Sequence, residues 1–128
     1  MRLLLDTHSF LWFISGDERI GPTARVLVED MQNEVFLSVA SLWEMAIKVS
    51  LGRLQLGQPF DAFISQQISI NHIRLLNITI GHTAKVAELP FHHRDPFDRL
   101  LIAQALIEQM PIVSGDPVLD MYGVTRLW

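Results

Sequence analysis

Leu3, Leu4 and Leu5 form a run with no polar interruption, and Asp6 and Thr7 end it. A strand that is apolar on both faces has no side to offer water. It belongs in the middle of a parallel sheet with helices covering each side. In open α/β sheets ligands settle at the carboxyl ends of the strands. Asp6 stands at that end of the first strand, and the later segments are read for what else they bring to the same edge.

Beyond Asp6, Thr7 to Ser15 carries Phe10, Leu11, Trp12, Phe13 and Ile14 and reads as a helix ended by Gly16-Asp17, too apolar for a free surface and expected to meet a partner in part. Pro22 suits the start of a second helix, with Val26, Leu27 and Met31 at helical spacing before Asn33. Val35 to Leu37 is a short buried strand. Ser38 opens a helix in which Val39, Leu42, Trp43, Ala46 and Ile47 repeat on one face, leaving Glu44 and Lys48 on others, and Gly52 closes it. Leu54 to Gly57 connects to a helix over Pro59 to Ile70. His72 to Ile78 reads as a strand and Thr79 to Leu89 as a helix stopped by Pro90. Asp95-Pro96 begins the strongest helix, Phe97 to Met110, apolar nearly all round and therefore buried. Ile112-Val113 is a strand, Ser114 to Pro117 a turn, and Val124 to Leu127 a last strand. Short buried strands alternating with helices imply an α/β fold with a parallel, helix-covered sheet.

The 128 residues are expected to make a single domain over 1–128, long enough to bury about two-thirds of the unfolded surface. Hydrophobic residues reach 49%, yet no apolar run approaches the roughly 18 needed to span a bilayer. With no signal-peptide pattern at the N-terminus, the expectation is a soluble, cytoplasmic protein with no membrane attachment. The absence of cysteine excludes disulfides, thiolate zinc sites and cysteine nucleophiles. A formal charge of −4 runs against a nucleic-acid partner. That objection weakens if several carboxylates hold divalent cations, which reverse the field a phosphate feels.

Asp6, Glu44, Asp98 and Asp116 occupy distinctive places: after the first strand, in the helix after the second, in the first turn of the buried helix, and after the Ile112-Val113 strand. Hard cations such as Mg²⁺ take oxygen ligands and keep several waters. Such ions activate water and stabilise a leaving oxygen in phosphodiester cleavage. Each acid also has an ordinary structural use. Asp6 suits a helix N-cap. Ser41-x-x-Glu44 matches a capping box, and Glu44 with Lys48 makes an i,i+4 pair. Asp95 caps a helix with Pro96 at its first position, which accounts for it without a metal, and the helix dipole favours Asp98. Asp116 suits a turn. Their joint placement is the stronger signal, because α/β topology sends Asp6, Asp98 and Asp116 toward one edge. Of the histidines, His92 and His93 are expected to be solvated or to support the site from behind, His8 to pack in its helix, and His72 and His82 carry no signal. Arg94, Arg99, Lys48 and Arg53 are the candidates to meet an RNA backbone.

The stretches Leu-Leu-Leu-Asp6-Thr-His, Ser-Val-Ala-Ser-Leu-Trp-Glu44, His-His-Arg-Asp-Pro-Phe-Asp98-Arg-Leu-Leu-Ile-Ala-Gln-Ala and Ser-Gly-Asp116 together resemble PIN-domain ribonucleases, specifically the VapC-type toxins of bacterial toxin-antitoxin pairs. The resemblance spans the chain. It implies a three-layer α/β/α sandwich around a central parallel sheet, with Asp6, Glu44, Asp98 and Asp116 as catalytic and metal-binding quartet. It further implies Mg²⁺ or Mn²⁺ as cofactor, RNA as substrate, and a homodimer inhibited by a cognate antitoxin. Where such sequences often read Thr-Arg-Asp or Thr-Asn-Asp at the last motif, this one reads Ser-Gly-Asp116, which removes a side chain able to position substrate. Two other readings compete. Gly115-Asp116-Pro-Val-Leu-Asp120 fits the Gly-Asp-x-x-x-Asp metal motif of haloacid-dehalogenase-like phosphatases, although His8 stands where that group needs a second acid. The fold could also serve as an inert binding module, with Trp12, Phe13 and Trp128 as its contact face.

Overall fold

The computed structural model describes all residues 1–128. In chain order the elements are β1 (Arg2–Leu5), α1 (Thr7–Ser15), α2 (Pro22–Glu29), β2 (Glu34–Ser38), α3 (Val39–Ser50), α4 (Phe60–Ile70), β3 (Ile73–Leu76), α5 (Ile80–Glu88), α6 (Pro96–Glu108), β4 (Ile112–Val113), a 3₁₀ helix (Pro117–Tyr122) and β5 (Arg126–Leu127). The five strands run in the order β3-β2-β1-β4-β5, all parallel.

β1 is central, as its uninterrupted leucines require. Leu3, Leu4 and Leu5 are fully buried, and each such side chain contributes about 1.5–3 kcal/mol when withdrawn from water. The pleat divides them. Leu3 and Leu5 join Phe10 of α1, Ala24 and Val28 of α2, Met45 of α3 and Ile64 of α4 on one side. Leu4 joins Leu101 and Ile102 of α6, with Leu119 and Tyr122 of the 3₁₀ helix, on the other. Val86 of α5 packs against that second cluster. The result is the expected three-layer sandwich.

Several local readings are corrected. The buried face of α3 is Ala40, Ser41, Glu44 and Met45, whereas Trp43 is exposed. Leu42 still packs against the core, but the helix is rotated so that Trp43 packs edge-on against Phe97, with ring centroids 5.3 Å apart. In α2 the buried residues are Ala24 and Val28, while Val26 and Met31 are exposed. Ser38, not Ser41, caps α3, its side chain accepting from the Ala40 N–H, so the capping-box reading of Glu44 fails. The segment after Asp116 is a 3₁₀ helix where only a turn was expected.

The chain builds from β1 outward through β2 to β3, then returns to the other side of β1 as β4 and β5. Such a reversal opens a crevice at the carboxyl ends of the strands that flank it. Here those strands are β1 and β4, the ones followed by Asp6 and Asp116. No helix is long and apolar enough to cross a membrane.

Candidate active site

Each acid is fixed by its own local structure. Asp6 caps α1, one carboxylate oxygen accepting from the Ser9 N–H at 2.8 Å. The hydroxyl of Ser9 donates to Val113 O at 2.9 Å, tying α1 to β4 beneath the crevice. Glu44 turns inward from α3: Thr7 Oγ1 donates to its Oε1 at 2.7 Å, and Lys48 lies 3.1 Å from its Oε2. Thr7, adjacent to Asp6, thereby links the first acid to the second. Asp98 sits in the first turn of α6, whose N-terminal dipole favours negative charge there. Asp116 caps the 3₁₀ helix, accepting from the Val118 N–H at 3.0 Å.

His93 joins the last two. Its Nε2 is 2.8 Å from Asp116 Oδ2 and 3.2 Å from Asp98 Oδ2. Its Nδ1 accepts from the Asp95 N–H at 3.1 Å, which places the ring proton on Nε2, facing the two carboxylates. Ligand atoms of His93, Asp98 and Asp116 all lie within 4.8 Å of one another. Burial raises the Asp98 carboxyl from its ordinary 3.8 to about 7, with the negative charges of Asp95, Asp6 and Glu44 adding to the shift and His93 opposing it. Asp6, Glu44 and Asp98 thus bear on one another through charge, and His93 links Asp98 to Asp116. Asp95 does as expected, its side chain accepting from the Phe97 and Asp98 N–H groups.

Of the two roles expected for His93, the structure realises the supporting one: its side chain is only 16% exposed and lies against Asp98 and Asp116. What holds it is Tyr122, whose hydroxyl accepts from the His92 and His93 N–H groups and donates to Pro90 O. Arg99 is also corrected. Proposed to meet RNA, it is buried, and its guanidinium donates to Pro90 O at 2.8 Å and to Val86 O and Leu89 O at 3.3 Å. Val86 O also accepts from the Leu89 N–H and Pro90 O from Tyr122, so Leu89 O is the carbonyl at the end of α5 that depends on Arg99. Arg94 and Arg53 are exposed. Asp120, needed by the phosphatase reading, is exposed and engaged by Arg126 at 2.8 Å. His82 is fully buried and structural, its Nδ1 accepting from the Thr79 N–H in a capping box.

A family model described as PIN domain matches residues 3–124. Ribonuclease VapC16 of Mycobacterium tuberculosis is 33% identical over 60 residues, a match covering 47% of this chain and 43% of that protein. Among solved structures, VapBC2 of Rickettsia felis bound to a DNA fragment from its promoter superimposes with a TM-score of 0.74 at 14% identity, covering 99% of this chain and 98% of that one. A toxin-antitoxin complex of Klebsiella pneumoniae gives 0.56 at 16% identity, covering 91% and 93%.

Proposed function

The chain belongs to the PIN-domain family, and from that membership we propose that it is a divalent-metal-dependent ribonuclease acting as the toxin of a toxin-antitoxin pair. The observation that carries the reading is the gathering of Asp6, Glu44, Asp98 and Asp116 around the crevice beside β1, close enough that Asp98 feels the charges of Asp6 and Glu44. Crowded carboxylates repel one another, and a bound cation opposes that repulsion.

The donor set fits Mg²⁺ or Mn²⁺. It is oxygen-rich, contains no thiolate, and its one neighbouring imidazole turns an N–H rather than a lone pair toward the acids. Asp6, Glu44, Asp98 and Asp116 would hold the ion, which when bound supplies an activated water and neutralises charge on the scissile phosphate. The remaining residues keep the acids in place. Thr7 and Lys48 orient Glu44, the Ser9 N–H orients Asp6, and His93 holds Asp98 and Asp116 toward each other. No serine, cysteine or lysine is positioned here as an attacking group, which leaves water as the nucleophile.

The antitoxin is proposed to fill a groove of about 430 Å³ in which Leu11, Ile14, Leu54, Leu56 and Phe63 are flanked by Arg19, Lys48 and Arg53. A homodimer is proposed as well, with exposed apolar side chains such as Ile80 and Met121 available to its interface. The test is direct. Partner-free protein should cut single-stranded RNA with Mg²⁺ or Mn²⁺ and stop with EDTA; cleavage at full rate in EDTA refutes the proposal.

A further inference from the structure

At Gly115, read from sequence as a lost side chain next to Asp116, Trp128 fills the space a side chain would take. A Cβ added at Gly115 would lie 2.9 Å from both Cε2 and Cζ2 of Trp128, so the indole occupies the space a larger residue would claim. Gly21 makes the same allowance on the other side: its added Cβ would lie 2.6 Å from the Trp128 carbonyl carbon and 2.9 Å from Cγ. Two glycines from distant parts of the chain thus seat one tryptophan beside a catalytic-site acid. Trp128 in turn meets Trp12 edge-on, with centroids 5.9 Å apart. His8 lies 5.6 Å from the Trp12 ring, and the Arg19 guanidinium lies 5.0 Å from its centroid, held by Asp17 at 2.7 Å.

These planar groups wall a second cavity of about 430 Å³ whose floor includes Asp6 and Asp116. It is therefore continuous with the acidic crevice. Its character differs from that of the neighbouring groove: only the two tryptophans are hydrophobic, and no aliphatic side chain lines it. Unpaired bases seat on aromatic, imidazole and guanidinium planes, and here those planes share their cavity with Asp6 and Asp116 of the cleavage crevice. Resting on the ribonuclease reading above, we propose that Trp12 and Trp128, with His8 and Arg19, form a nucleobase subsite that takes the base next to the scissile phosphate of single-stranded RNA. In this chain the Trp128 indole replaces what position 115 would otherwise offer the substrate, and the recognition it gives is stacking rather than hydrogen-bonded readout. The subsite is accordingly tolerant of base identity and intolerant of a missing base.

The experiment uses the intact protein and short, fluorescein-labelled 2′-O-methyl oligoribonucleotides spanning a cleavage site mapped in the assay above, with each base removed in turn. Binding to the unmodified protein, read by anisotropy and by quenching of tryptophan fluorescence, should weaken about 5- to 100-fold at one abasic position adjoining the cut, the range one base–aromatic stack supports. Trp12→Leu should lose a similar factor and become indifferent to that abasic position, while Trp12→Phe should restore most of both. Circular dichroism melting checks that the variants fold, and the abasic series in the unmodified protein stands without any variant. A flat abasic profile, or Trp12→Leu binding RNA as the parent does, overturns the subsite and assigns the aromatic wall to the core or to a protein partner, with the ribonuclease reading intact. Protein that neither cuts nor binds RNA with Mg²⁺ or Mn²⁺ overturns both.

Discussion

Replacing Asp98 by Asn removes a charge that the metal-free fold disfavours. The Asp98 carboxyl rises from 3.8 to about 7, roughly three units, and at about 1.36 kcal/mol per unit the ionised form costs up to about 4 kcal/mol. For an acid whose folded value lies above its unfolded one, the native state binds more protons between those two values, so stability falls as pH rises through that window. The penalty is absent below about pH 4, grows toward pH 7 and is constant above it. Asp98→Asn should therefore match the parent near pH 4 and exceed it by about 1–4 kcal/mol at pH 8 without metal, the lower end reflecting the loss of the His93 contact at 3.2 Å. The assay is urea unfolding across that pH range, with and without Mg²⁺. At a hundredfold excess over its dissociation constant, Mg²⁺ stabilises the parent by about 2.7 kcal/mol; the variant should gain much less and should not cut RNA. Asp95→Asn is the control, because Asn caps a helix nearly as well as Asp, and it should remain active. An Asp98→Asn protein with the parent's pH slope, or with its cleavage, refutes the reasoning.

Other substitutions separate structural from functional charges. Arg99→Met should lower stability by about 1–3 kcal/mol in urea unfolding, since Leu89 O loses its donor, while cleavage well below the melting temperature persists. Gly115→Asn should cost about 1–3 kcal/mol through overpacking against Trp128, and tryptophan emission should shift as the indole is displaced. Leu4→Ala, at the fully buried centre of β1, should cost about 2–5 kcal/mol, measured by thermal melting. A homodimer should be evident by light scattering at tens of micromolar; a strict monomer counts against it.

The carboxylates were legible in the sequence because strand ends are topological. Once Leu3 to Leu5 and Ile112-Val113 are buried parallel strands, Asp6 and Asp116 follow onto one edge whatever the details of packing. Glu44 was found for a less secure reason, since its helix face was misassigned: the spacing of Leu42, Trp43 and Ile47 measures hydrophobicity, not which side meets the sheet. Between the two fates open to His93 the sequence could not choose, because its position depends on a tyrosine 29 residues away. Arg99 looked like a surface cation because a helix dipole and a set of carbonyls leave no mark on composition. The seat of Trp128 was illegible for a similar reason, being made of what Gly21 and Gly115 lack.

The order β3-β2-β1-β4-β5 also governs when the molecule can exist. β1 pairs with β2 some thirty residues later along the chain, through Leu5 and Leu37, but with β4 only through Leu4 and Ile112 and Leu5 and Val113. Until β4 docks, β1 therefore keeps one apolar edge unpaired. Pairings so distant in sequence form late and slowly, and an open edge of that kind invites association with other chains. The same delay keeps the crevice incomplete, because Asp116 follows the strand that closes it. Until then the acids of the chain cannot share a cleft.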